Sequence, residues 1–256
     1  KDCSSLVKIT IPPTVKVFEK SSFEGCLSLT DIELPNELKR IGECAFQGCS
    51  SLIEINIPPS VEIINESVFN GCCKLSKVTI PMSVKSIEKF AFNECSSLTQ
   101  IIIPESVSNI GESSFSGCSS LIQIDLPKSL TNIGESAFSF CKMLEKINNN
   151  SSILLLNDSV FSFCSSLTKF AIPQNVTEIG SCSFYGCTSL CEIEIHQNVI
   201  KIGKSAFYGC TSLAKIELPS SLTVIEQGAF ESCTSIISIS IPNSVQYINF
   251  GAFKRC

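Results

Sequence analysis

Apolar and polar residues return in the same order every 23 residues along this chain. Cysteine marks the phase. Cys3, Cys26, Cys49 and their successors through Cys233 to Cys256 stand in eleven equal steps, with no insertion or deletion. Three residues before each cysteine after the first is a phenylalanine, from Phe23 and Phe46 to Phe253. Three after it is leucine, with Ile236 the last. Six, eight, twelve and fifteen after it the chain is mostly apolar again, and nine after it usually has proline. Such self-similarity is the signature of a repeat architecture. The period predicts a solenoid in which each coil buries its apolar side chains only against the coils before and after it.

Leu98 to Ser120 shows what one coil is expected to do. Ile101 and Ile103 alternate with Gln100 and Ile102, the two-residue rhythm of a strand, so Ile101 and Ile103 point inward. Pro104 ends the strand, because it has no N–H to give a neighbour. Val107 and Ile110 point inward from a second extended segment. Gly111 is expected to take a corner with positive φ. Ser113 is placed to cap a single helical turn, which Gly117 would stop. Phe115 and Cys118 complete the interior. Truncating one such ring should cost about 3–5 kcal/mol. The whole of 1–256 then reads as one solenoid domain of about eleven repeats. It begins and ends inside repeats, as a piece of a longer protein would.

These segments, Leu-x-x-Ile-x-Ile-Pro, Val-x-x-Ile-Gly and Ala-Phe-x-x-Cys, resemble the BspA-like leucine-rich repeat family over essentially the full length. The resemblance implies a curved right-handed solenoid with a parallel sheet on its concave face. It also implies a cell-surface or secreted protein of the adhesion or host-contact kind, with extracellular-matrix or host-surface proteins as partners. The family brings no catalytic residues. A full helix on the outer side would need ~10 Å per coil against ~4.8 Å for a strand. A 23-residue coil leaves room for about one helical turn, so gentle curvature is expected.

Composition narrows the classes of function. The net charge is −5, and Arg40 and Arg255 are the only arginines. With no basic cluster, nucleic-acid binding lacks its electrostatic footprint. No apolar run approaches the ~18 residues of a membrane helix. Sixteen cysteines suggest disulfides at first sight. Yet twelve of them share one column, on coils ~4.8 Å apart, a poor match to disulfide geometry. They read as buried free thiols, with no tetrahedral convergence for a metal. Cys44, Cys73, Cys182 and Cys191 lie off the column and are the more reactive set. His196 replaces a proline and reads as a surface substitution, leaving no catalytic constellation. No cofactor is expected.

The outward strand positions are therefore the candidate partner-binding face: Asp31, Glu33, Glu54, Ile102, Asp125, Lys169, Glu192, Glu194, Lys215 and Glu217. Glu192, Glu194 and Glu217 form an acidic group edged by Lys169 and Lys215. Coil seven departs from the pattern, with Asn148-Asn149-Asn150 at the strand end and Leu154 and Leu155 at outward places. It reads as a weak rung, a local break in curvature or a contact patch. Asn-x-Ser/Thr sequons occur at Asn65, Asn149, Asn150, Asn157 and Asn175. Uncapped apolar coil faces would favour self-association. The function expected is a non-catalytic protein-binding scaffold. Its alternative is an intracellular adaptor or regulatory subunit, since unpaired cysteines suit a reducing compartment.

Overall fold

The computed structural model describes all 256 residues. Short parallel strands fall in two rows. The first row holds Lys8–Ile9, Asp31–Ile32, Glu54–Asn56, Lys77–Thr79, Gln123–Leu126, Lys146–Asn149, Lys169–Ala171 and Glu192–Glu194. In the coil starting at Leu98 this row shrinks to a single bridge, Gln100 to Gln123. The second row runs from Val17–Phe18 and Arg40–Ile41 to Val224–Ile225 and Tyr247–Ile248. Each paired residue meets the one 23 places on: Lys8 with Asp31, Glu54 with Lys77, Ser86 with Asn109, Lys169 with Glu192. The register is thus the repeat itself.

The third side of the coil corrects an expectation. No helical turn forms between Glu112 and Cys118. A helix would spend its N–H groups inside its own segment. Here the donors alternate. Ser113, Phe115 and Gly117 donate to Glu135, Ala137 and Ser139 of the next coil, each at 2.8 Å. The intervening Ser116 and Cys118 donate back three residues, at 3.2 and 3.1 Å. This zigzag needs a left-handed residue at each end, and Ser113 (φ 49°) and Gly117 (φ 75°) supply them. A helix N-cap requires an extended backbone instead, so the serine is a left-handed corner rather than a cap.

Gly111 is also corrected. Its φ is not positive. A Cβ placed there would lie 2.5 Å from the Lys89 nitrogen and 2.7 Å from the Glu88 carbonyl carbon. The glycine is needed for close backbone approach between coils, not for a turn.

Inside, Leu98, Ile101, Ile103, Val107, Ile110, Phe115 and Cys118 are all buried, as the alternation predicts. The phenylalanines from Phe23 to Phe253 stack in a parallel, offset file, with neighbouring centroids between 5.2 Å (Phe207–Phe230) and 5.7 Å (Phe138–Phe161). Ring pairs of this kind add about 0.5–1.5 kcal/mol beyond burial. Phe170 stands in an isoleucine place and tilts in at 5.0 Å from Phe161, where the stack opens to 27°. The column cysteines from Cys26 to Cys233 are buried and unpaired. From Cys49 onward each thiol donates to the phenylalanine carbonyl 26 residues earlier, as Cys141 does to Phe115 at 3.2 Å. A weak donor is thereby satisfied within the buried column.

Coil seven is not weak at its strand. Lys146–Asn149 is four residues long and pairs in full with Gln123–Leu126. Asn150, standing where proline is usual, has an N–H and gives it to Leu126 at 3.4 Å. Leu154 and Leu155 do face outward, 65% and 42% exposed. His196 keeps the proline's turn, its carbonyl accepting from Val199 at 3.1 Å.

Candidate binding face

All ten candidate residues lie outward, because inward and outward places alternate on strands whose inner positions are apolar. They form two columns. One runs through Asp31, Glu54, Lys169, Glu192 and Lys215. The other runs through Glu33, Ile102, Asp125, Glu194 and Glu217.

The charges are not equally available. Opposite charges placed 23 residues apart pair along the column. Lys8 meets Asp31 at 3.4 Å, Lys77 meets Glu54 at 3.2 Å, and Lys169 meets Glu192. Within one strand, Lys215 meets Glu217 at 2.7 Å. The Glu192 carboxylate, by hydrogen bond and charge, holds the Lys169 ammonium above its ordinary pKa, and Glu217 does the same for Lys215. Lys215 in turn lowers Glu217. Asp125 accepts from the Asn148 amide at 2.6 Å. So the acidic group of Glu192, Glu194 and Glu217 is largely neutralised in place. Glu33 and Glu194 are different: neither has a cation partner. The sequence carried this signal. Thr10 and Asn56 flank Glu33 at 23-residue spacing, and Ala171 and Glu217 flank Glu194. Ile102 is the most exposed apolar residue on this face before the last coil, at 83%.

Two adjoining hollows mark the later part of the face. One, of about 480 Å³, is lined by Lys146, Ile147, Lys169, Phe170, Ala171 and Glu194 among others. The next, of about 470 Å³, runs from Lys169 and Glu192 to Lys215 and Glu217. Lys146, Phe170 and Ala171 were not picked out from the sequence, although a lone alanine in a column otherwise polar except for Ile102 was visible there. A further set was missed on the turn side. Phe140 and Phe163, both partly exposed, stack at 4.7 Å, and Tyr185 and Tyr208 continue the file at 4.6 Å. Phe140 and Phe163 take left-handed backbone at a place that is glycine in six coils.

No group of three or more histidine, cysteine or carboxylate side chains is arranged to hold a metal. The off-column cysteines differ in exposure. Cys73 and Cys191 are exposed and Cys44 and Cys182 half-buried, while Cys3 and Cys256, at the column's two ends, are exposed as well.

Two rows of parallel strands in register at the repeat spacing, over a continuous apolar stack, define a leucine-rich repeat solenoid. The model of the BspA type leucine-rich repeat region matches six times, over residues 1–88, 62–168 and 155–256. The chain belongs to that family. Among solved structures, it is similar to a leucine-rich repeat protein of Treponema pallidum (25% identity, 80% of this chain and 77% of that one, TM-score 0.50). It also resembles a leucine-rich cell surface protein of Faecalibacterium prausnitzii (30%, 83% and 73%, 0.47) and a leucine-rich repeat protein of Bacteroides ovatus (29%, 98% and 85%, 0.48). Among curated proteins none matches. No helix is long and apolar enough to cross a membrane.

Proposed function

We propose that this chain is a non-catalytic scaffold that binds a protein partner through its first strand row, in an adhesion or host-contact role at a cell surface. Membership of the BspA-type family supports the role, since that resemblance implies surface adhesion. One observation carries the choice of face. Inward places repeat the same residues, while the outward columns vary from coil to coil and open into adjoining hollows around Ala171 and Glu194. Stacking can account for the constant interior but not for the varied exterior. The test is a pull-down with the wild-type chain beside a variant carrying Glu192→Lys, Glu194→Lys and Glu217→Lys. Selective loss of a partner supports the face, and unchanged recovery overturns it.

A second reading, an intracellular adaptor or regulatory subunit, is favoured by the sixteen unpaired cysteines. Thiol titration of the denatured protein, isolated without reductant, separates the two. Sixteen titratable thiols favour the adaptor, and paired cysteines favour the surface.

A further inference from the structure

The hollow around Ala171 points to the chemistry of the partner, an inference that rests on the binding-face reading above. Ala171 pairs in register with Glu194 on the next coil. Its side chain is a single methyl between Asn148 and Glu194 in the same column, so the surface dips there. The ionic groups around the dip are unevenly matched. Lys169 is neutralised by Glu192, and Glu217 by Lys215, while Lys146, two coils before Glu194, lines the same hollow without an ion pair. Glu194 alone of the three acids keeps a free carboxylate, at the edge of a dip floored by the Ala171 methyl, with the Phe170 ring buried beneath the strand.

We propose that this hollow receives an arginine side chain of a protein partner, its methylene stem over Ala171 and its guanidinium on Glu194. A long cationic side chain buries its stem on apolar surface and keeps its charged end at the rim. Arginine fits better than lysine. Its planar fork donates two parallel N–H bonds to one carboxylate, and it is more weakly hydrated. The contact supplies Glu194 with the cation that no neighbouring coil provides. Glu33, which also lacks a cation, lines hollows of about 320 and 430 Å³, but its column neighbours there are the polar Thr10 and Asn56 rather than a lone methyl.

The test uses the full chain labelled with ¹³C at alanine methyls, titrated with the capped peptide Ser-Gly-Arg-Gly-Ser and with its lysine and glutamate counterparts. The arginine peptide is expected to shift the Ala171 methyl with millimolar affinity, leaving the remote Ala45 methyl still. The lysine peptide should bind more weakly and the glutamate peptide not at all. Glu194→Gln should weaken the arginine peptide about tenfold, the loss of one charge-assisted contact. Glu112→Gln, exposed on the turn side and outside the face, should change nothing. Ala171→Leu, which fills the dip, should abolish saturation transfer to the arginine methylenes of the peptide. Equal shifts with the glutamate peptide, no shift at Ala171, or indifference to Glu194→Gln would overturn the assignment. If the pull-down partner is lost in the triple lysine variant while the arginine peptide leaves Ala171 unmoved, the face stands and the arginine assignment falls. If the peptide binds as expected while the partner is retained, the face falls as the partner's route.

Discussion

Along the phenylalanine column every coil from Phe23 to Phe253 carries the same residue, whereas along the outward column through Glu194 no three successive coils agree. Both columns sit on the same 23-residue period and the same backbone register. Inside, the environment of each side chain is the identical side chain above and below, so one shape that stacks on itself satisfies all coils at once. Outside, the strand places the Cβ atoms but water accepts almost any polar group. Variation there costs little in folding and is free to follow what the face must meet. Charge shows the same contrast in miniature. Where a column alternates sign at 23-residue spacing it neutralises itself, and where it does not, as at Glu194, a charge is left for another molecule.

The sharpest way to break the contrast is to hollow the interior. Phe138→Ala should lower unfolding free energy by about 3–5 kcal/mol in denaturant titration, while Ile102→Ala, on the exposed column, should leave the midpoint in place. A phenylalanine variant as stable as wild type would show that the stack does not hold the coils together.

Gly111→Ala comes next. Its Cβ would meet backbone atoms of Lys89 and Glu88 at 2.5–2.7 Å, which should cost about 1–3 kcal/mol of strain or coil displacement. Gly209→Ala meets nothing nearer than 4.0 Å and bears only its left-handed φ of 71°. It should therefore be the milder of the two in thermal unfolding. The reverse order would mean that the corner conformation outweighs the close approach.

Alkaline pH tests the thiol column. Burial pushes the Cys187 thiol up to about 12, and burial likewise raises Cys164 and Cys210. The folded protein therefore holds these protons at a pH where the unfolded chain, near the ordinary thiol value of about 8.5, releases them. Their contribution is complete below about pH 8 and is lost as pH rises toward 12, by up to about 1.4 kcal/mol per pH unit for each such thiol. Denaturant midpoints measured from pH 7 to 10 should be flat and then fall. A midpoint that rises above pH 9 would overturn the assignment of neutral buried thiols. In the native state an aromatic disulfide reagent should modify Cys3, Cys73, Cys191 and Cys256 quickly, and the ten buried cysteines only on unfolding.

The smallest effect belongs to the paired charges. Glu192→Gln removes the partner of Lys169 on an exposed surface, where water and salt screen the pair. It should leave the unfolding midpoint unchanged within error while altering the salt dependence of partner binding.

Most of this molecule can be read from one coil. Leu98 to Cys118 names the seven inward side chains, because on a strand each second residue faces inward and proline closes the run. The candidate face follows from the same alternation. The third side was misread, since Ser113 and Gly117 look like the two ends of a helical turn. Nothing local distinguishes that from a zigzag whose donors reach the next coil, because the competing acceptors of Glu135, Ala137 and Ser139 are more than twenty residues away. Coil seven was legible only in part: its strand pairs in full, while the Asn149 amide nitrogen is buried without a partner. Asn150 in place of proline reads as a loss, but it restores an N–H that extends the pairing.

The sequence by itself determined the period, the register and the set of residues in the core, because a side chain repeated at constant spacing can be buried only by its own copies. Only the tertiary structure decided which charges are neutralised, why Gly111 must be glycine and where the face dips. Those depend on the distance between neighbouring coils and on what each side chain finds across that gap.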